Sequence, residues 1–197
     1  MNSKVLAFFV VLIIAVAVGL LYWSSKKDIM SDKQIDKQNE EEIVQSPEVS
    51  AYISSGWNKE NDDNYAGAIE DYSKAIEKAL ELGTVTSTLY SFRADARQYT
   101  GDYKGAVEDY TNAIKLDPKP TVLYWERAEA KERMNDYKGA LEDVTKAISL
   151  SEGSGATLAS LYAHRAKIKK HLGDEAGAKA DKEKEKEIQE KFGFGWE

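Results

Sequence analysis

One string recurs along this chain, and it limits the possible folds more than any other feature. NYAGAIEDYSKAI at 64–76, DYKGAVEDYTNAI at 102–114 and DYKGALEDVTKAI at 136–148 follow the same pattern. Tyr65 and Tyr103 are 38 residues apart, Tyr103 and Tyr137 34. A second string recurs in step with it: LYSFRADAR at 89–97, LYWERAEAK at 123–131 and LYAHRAKIK at 161–169. The last of these leads into GDEAGAKA at 173–180, where Glu175 lies 38 residues after Tyr137. A period of this size marks a chain built from stacked two-helix units.

One copy shows why the unit folds that way. Tyr103, Ala106, Tyr110, Ala113 and Ile114 recur at three- and four-residue steps and form one apolar stripe on a helix. The alanines on that stripe let a paired helix come close. Glu108 and Asp109, like Glu70, Asp71, Glu142 and Asp143, are expected on the opposite face, in water. Asp102 and Asp136 stand just before these helices as N-caps that accept backbone N–H bonds. Gly101, Asn135 and Gly173 tolerate the turn conformation ahead of them. Such a unit cannot bury its stripe alone, so it stacks on copies of itself.

These residues resemble the tetratricopeptide repeat family. Ala68/Tyr72/Ala75 and Ala106/Tyr110/Ala113 match its alanine–aromatic–alanine core, and Leu116-Asp117-Pro118 is its usual exit. The third copy keeps Ala140 and Ala147 but has Val144 for the aromatic. The resemblance spans about residues 47–185, roughly 70% of the chain. It implies an all-α fold, an α-solenoid of about three to four helix pairs within residues 46–192, with repeats near 49–82, 87–120, 121–154 and 159–192. The first helix of repeat one departs most: Gly56 fits, but Lys59 replaces an expected aromatic. The last helix departs too, with Lys182 and Glu185 in the places of Tyr and Ala. Its charged run AKADKEKEKEIQEKF reads as a capping helix that ends the stacking.

From Val5 to Trp23 the chain has 19 consecutive residues without a charge or strongly polar group. As a helix this stretch is about 28 Å long, the thickness of a hydrocarbon core. Residues 1–27 are therefore expected to form a single-pass membrane anchor with its helix at 5–23, Tyr22 and Trp23 lying at headgroup level and Lys26 and Lys27 in water. Cleavage as a signal peptide after Ala15-Val16-Ala17 is the competing reading, but bulky apolar residues continue past that site. The lysines on either side leave the orientation open. Residues 28–45 read as a polar linker. In the tail, 193–197, Phe194 and Trp196 are spaced by glycine; either Phe192 or Trp196 folds back on the last helix, or the tail is a recognition tag.

Chemistry has few places to reside. The chain has no cysteine, which excludes disulfides, thiolate catalysis and Cys-ligated zinc. The net charge is −7, and since residues 1–27 carry only Lys4, Lys26 and Lys27, the remainder carries −10. So acidic a surface repels phosphate and argues against nucleic-acid partners. His164 and His171 are seven residues apart on one helix, too far to share a metal. The acidic turn from Asn58 to Asn64 lacks the central glycine of a calcium loop, and no phosphate-binding glycine motif occurs. No catalytic residue, metal or cofactor is expected.

Binding remains. The family resemblance implies a concave face lined by first helices, and helical phase places Ile53, Trp57, Thr88, Ser91, Asp95, Tyr99, Val122, Trp125, Glu129, Ala163 and Lys167 on it. Trp57, Tyr99 and Trp125 are candidate anchors for a peptide or helix, unless their rings pack between helices. Relatives that hold the C-terminal carboxylate of heat-shock chaperones use Lys, Asn, Asn, Lys and Arg. The matching positions here are Ile53, Trp57, Phe92, Val122 and Glu126, none of which can do that work. The expected function is a membrane-tethered protein–protein interaction scaffold or adaptor whose partner has basic character. The alternatives are an accessory subunit or assembly factor of a membrane translocation-type complex, or a self-associating, homo-oligomeric structural protein. The full-length protein is expected to stay in the membrane fraction through an alkaline wash with its N-terminus intact. Recovery of a soluble form beginning near Val18 would contradict the anchor.

Overall fold

Each repeat becomes two helices because its turn residues and caps stop one helix and start the next. The structure, a computed structural model, describes residues 46–151 and 155–192. Among them are α1 (Pro47–Asn61), α2 (Tyr65–Glu81), α3 (Ser87–Thr100), α4 (Tyr103–Leu116), α5 (Thr121–Arg133), α6 (Tyr137–Leu150), α7 (Gly155–His171) and α8 (Glu175–Phe192). The expected anchor at 5–23, linker at 28–45 and tail at 193–197 lie outside the described residues. Among those described, no helix is long and apolar enough to cross a membrane.

The turns behave as their residue types require. Gly101, Asn135 and Gly173 all take left-handed backbone, at φ of 80°, 61° and 79°, and Asp63 does so at the corresponding place in repeat one, at 58°. The next residue caps the following helix. Asn64, Asp102, Asp136 and Asp174 accept from the backbone N–H of Gly67, Gly105, Gly139 and Gly177 at 3.1, 3.0, 3.0 and 2.9 Å. Glycine is needed at the accepted position: a Cβ on Gly105 would come within 2.2 Å of the Asp102 carboxylate.

The stripe packs as its spacing predicts. Ala68, Tyr72, Ala75, Ala106, Tyr110, Ala113, Ala140, Val144 and Ala147 have no exposed surface. They meet equally buried alanines of the first helices, Ala94, Ala96, Ala128 and Ala130. Small residues on both sides let the backbones approach closely. In repeat one even alanine is too large, since a Cβ on Gly56 would lie 2.5 Å from the Tyr72 ring. Each helix packs chiefly on its neighbours in sequence, more closely within a pair than between pairs.

The acidic pairs correct the sequence expectation. Glu70, Glu108 and Glu142 do face water, but Asp71, Asp109 and Asp143 are buried, as is Asp181. Asp109, Asp143 and Asp181 each sit between two cations of their own first helix, and Asp71 meets one. Arg93 reaches Asp109 through two bonds of 2.9 and 2.7 Å, and Arg97 adds a third at 2.7 Å. Arg127 and Lys131 hold Asp143 at 2.7 and 2.8 Å, and Arg165 and Lys169 hold Asp181 at the same distances. Lys59, out of place as an aromatic, proves to be the equivalent cation of repeat one, 2.7 Å from Asp71. Burial by itself would raise the Asp181 carboxyl, but hydrogen bonds from Arg165 and Lys169 outweigh it and hold it below its ordinary value. Asp71 is lowered in the same way, with Lys59 and Ser55 overcoming burial.

The pairing also shows the direction of the helices. Arg97, late in α3, bonds the carbonyl of Gly105, early in α4, at 3.1 Å, while Arg93, one turn earlier, reaches Asp109, one turn later. The two helices therefore run antiparallel. A further bond ties the second and third units to the one before: Arg93 donates to the Ser73 hydroxyl at 3.1 Å and Arg127 to the Thr111 hydroxyl at 3.0 Å.

α8 ends the described array. It buries only Ala178, Asp181 and Ile188, and its remaining surface carries exposed pairs such as Lys182–Glu185 at 2.8 Å and Lys184–Glu187 at 2.6 Å. Phe192 at its end lies over Gly155 at the start of α7, where a Cβ would come within 2.5 Å of the ring. Asp109→Ala strands two partly buried arginines and should cost about 3–5 kcal/mol in urea unfolding, whereas Glu108→Ala next to it should change stability by less than about 0.5 kcal/mol. Equal effects of the two substitutions would show that the buried pairing does not hold the repeat.

Candidate partner-binding groove

The first helices, α1, α3, α5 and α7, carry the residues that sequence phase assigned to binding. Two cavities run across them. One, of about 690 Å³, is lined by Glu60, Asp95, Gln98, Tyr99, Glu126 and Glu129, with Tyr65, Tyr103, Asn61 and Arg133 at its edges. The other, of about 390 Å³, shares Gln98, Glu129 and Arg133 with it and continues to Glu132, Tyr137, His164, Lys167 and His171. Together they form one groove.

The buried stripe positions the acidic end of this groove. Tyr110, fixed in the core of α4, donates its hydroxyl proton to Asp95 and accepts from the Gln98 amide at 2.7 Å. A core residue of the second helix thus sets the rotamers of two groove residues on the first. Burial raises the Asp95 carboxyl above its ordinary value; the Tyr110 bond opposes the shift and Glu60 adds to it. Burial also raises Glu60. Glu126 is pushed to about 7, first by burial and then by Asp95 and Glu129. No lysine or arginine among the described residues forms an ion pair with Glu60, Asp95, Glu126 or Glu129. Burial is the largest cause in each case, and the neighbouring carboxylates add to it at Asp95 and Glu126.

The aromatic residues divide. Tyr99 is 71% exposed and stacks on Tyr65, ring centroids 4.4 Å apart and planes 10° apart. His171 stacks on Tyr137 in the same way, at 4.6 Å and 9°. Trp57 is 48% exposed and meets Phe92 edge-on at 5.3 Å. Trp125 is partly buried against the cluster of Val144 and Leu161, and its ring lies 6.2 Å from His164. Its indole N–H is buried without a partner.

Of the residues assigned from sequence, Asp95, Tyr99 and Glu129 line the larger cavity, and Glu129 and Lys167 the smaller. Lys167 also pairs with Glu132 at 3.1 Å. Ile53 packs on the core of Val49, Ile76 and Leu89, and Ser91 returns its hydroxyl to its own helix at Thr88. Val122 is exposed but lines neither cavity, and Trp57 and Trp125 lie outside both. Sequence reasoning missed Glu60, Gln98, Glu132 and Arg133, which stand near the C-terminal ends of the first helices. Glu126 was visible only as a position at which the carboxylate clamp of the resembled family fails. His164 meets Glu132 instead of any metal partner.

Glu126 makes stability depend on pH in a known direction. Its folded value of about 7 lies above its ordinary 4.5, so in that interval the folded chain holds a proton that the unfolded chain has lost. Its contribution is complete below the ordinary value and fades as pH rises through the folded one. Facing it are Asp95 on α3, Glu129 on α5 and Tyr110 on α4, with Glu60 on α1 acting through Asp95. The melting temperature should rise as pH falls from about 8 to about 5.5, and Glu126→Gln should flatten that rise and lift the value at about pH 8. Thermal unfolding in a pH series is the check, and parallel curves for the two proteins would refute the assignment.

Comparisons with known proteins agree with the helix-pair fold. A family model of the tetratricopeptide repeat matches residues 87–120, which span α3, α4 and the exit turn. Among solved structures, MamA is 19% identical over 86% of this chain and 96% of its own, with a TM-score of 0.65. BtubC (BKLC) from P. vanneervenii is 15% identical over 87% of this chain and 78% of its own, with a TM-score of 0.68. The first TPR of Spaghetti (RPAP3), bound to the HSP90 peptide SRMEEVD, is 20% identical over 66% of this chain and 97% of its own, with a TM-score of 0.55. Residues 87–120 thus match a tetratricopeptide repeat, and the described helices carry the fold of a tetratricopeptide array.

Proposed function

We propose that this protein is a membrane-tethered interaction scaffold that takes a partner peptide or helix of basic character in the groove of its first helices. The observation that carries this reading is the run of carboxylates, Glu60, Asp95, Glu126 and Glu129, that lines a cavity in which Arg133 is the one cation among the lining residues and pairs with none of them. Leaving such groups partly buried and unanswered costs stability, and a partner that supplies positive charge relieves the cost. The tether is the apolar stretch from Val5 to Trp23, which would hold the groove close to a bilayer.

The same chemistry separates this groove from that of a similar fold. The peptide SRMEEVD, bound by the RPAP3 domain, carries three acidic side chains in its last four residues. Such a tail would meet like charge here, and Ile53, Trp57, Phe92, Val122 and Glu126 offer no cation to hold it. Exposed Tyr99 and Trp57 supply apolar contact beside the acidic floor.

The test is capture from solubilised membranes by the full-length chain, with the captured partner identified and its affinity measured. Tyr99→Ala and Trp57→Ala should each weaken that affinity by up to about 2 kcal/mol, roughly thirtyfold, with little change in melting temperature. Trp125→Ala should instead lower the melting temperature, because its ring packs in the α5–α7 interior. Affinity should also fall with added salt. Binding that ignores the Tyr99 and Trp57 substitutions and salt alike would move the interface off this groove.

A further inference from the structure

The larger cavity is built for one cationic side chain. We infer that the space bounded by α1, α3 and α5 is a specificity pocket that seats a single lysine or arginine of the bound partner, with Glu60, Asp95 and Glu126 as its anionic floor and the stacked Tyr65–Tyr99 pair as its wall. This deepens the groove reading above and rests on it.

Three independent features point to an organic cation. The first is size: about 690 Å³ is ample for an extended side chain and the backbone that carries it. The second is the wall, where Tyr65 and Tyr99 stack at 4.4 Å and the Tyr99 ring stays largely exposed at the cavity edge. Exposed tyrosine faces attract guanidinium and ammonium groups. The third is Tyr72. Its side chain has no exposed surface, its hydroxyl hydrogen-bonds to Glu60, and its charged neighbours are Glu60, Asp95 and Asp71. The hydroxyl therefore points at the acidic floor, where its counterpart Tyr110 already donates to Asp95. A hydroxyl that gives its proton to a carboxylate keeps lone pairs of its own, so it suits a ligand with several N–H donors by accepting from the donor that the carboxylates leave free.

A metal ion would be the other cation to consider. Among the described residues no group of three histidines or carboxylates is placed to hold one. The floor is spread over three helices, which suits the branched donors of a guanidinium better than the compact shell of a metal.

Seating the cation also moves a proton. Glu126 holds one near neutrality because of burial and of Asp95 and Glu129. A positive group placed against these carboxylates, with Glu60 on α1 and Tyr110 on α4 facing the same space, releases that proton, so binding tightens as pH rises through neutrality. Arg133, which also lines the cavity, opposes this attraction.

The probes are two pools of fluorescein-labelled nonapeptides with mixed Ala, Leu, Ser and Tyr flanks. One pool has a fixed central arginine and the other a central citrulline, which keeps the shape without the charge. With the full-length chain in mild detergent, the arginine pool should bind at least about tenfold more tightly, and more tightly at about pH 8 than at about pH 6. The double variant Glu60→Gln/Glu126→Gln should lose most of that preference while melting no lower than the parent, since it removes repulsion; Asp95 is kept because it holds Tyr110. The control Glu108→Gln, on the outer face of α4, should keep the preference. Equal binding of the two pools, no binding of the arginine pool at millimolar concentration, or a preference that survives the double variant would each overturn the pocket. If the pools bind equally but Tyr99→Ala and Trp57→Ala weaken both, the pocket fails and the groove reading stands. If no peptide binds and partner capture also ignores Tyr99 and Trp57, both fail.

Discussion

The buried aspartate of each second helix is the interaction on which the rest of this structure depends. Asp71, Asp109, Asp143 and Asp181 occupy one position in successive units; the last three are gripped from the paired first helix by two cations one turn apart, and Asp71 by Lys59 with Ser55 in the place of the second. A stripe of alanines is smooth and would tolerate sliding or rotation of one helix on the other. A carboxylate that must meet two cations tolerates neither. The pairing adds little net stability over an apolar core of the same shape, but a slipped arrangement would leave charges buried and unpaired, and that is expensive. Because Arg93 and Arg127 also bond the preceding second helix at Ser73 and Thr111, the same side chains set the register between units.

With the helices locked in this way, the opposite face of each first helix is free to vary, and there the units differ. The position one residue before the paired arginine is Phe92 in one unit, Glu126 in the next and His164 in the third. The first packs on Trp57 and Tyr72, the second adds to the acidic floor, and the third meets Glu132 and Trp125. The groove thus changes character along its length on a constant frame, from carboxylates near α1 and α3 to a mixed lining with Lys167 and His171 near α7.

Core and groove are joined through tyrosine. Tyr110 is wholly buried, yet its hydroxyl emerges at Asp95 and Gln98. Burial pushes its ionisation well above the ordinary range, so it remains a donor at any physiological pH. The aromatic of the repeat pattern therefore fills the core and also orients the groove. Val144 in the third unit can only do the first.

Much of this was legible in the amino-acid sequence because it depends on local spacing. The three recurring strings determined the helix pairs, Asp102 and Asp136 their caps, Gly101 and Asn135 their turns, and Ala106, Tyr110 and Ala113 the core. The charged face of α8 was equally plain. What periodicity could not reveal was the fate of a charge. Asp109 and Glu108 are adjacent acids, and only the approach of Arg93 and Arg97 from a helix 12 to 16 residues away makes one a buried partner and leaves the other in water. Lys59 read as a misfit for the same reason, since its counterpart Asp71 lies on another helix. The groove was decided at the same level: helical phase brought Asp95, Tyr99 and Glu129 to one face, but whether Trp125 pointed out or packed inward, and whether Glu60 and Glu126 came together, depended on how neighbouring helices pack. A pattern along one helix specifies which side chains share a face. Which of them meet across two helices is set by tertiary distance, which no single period records.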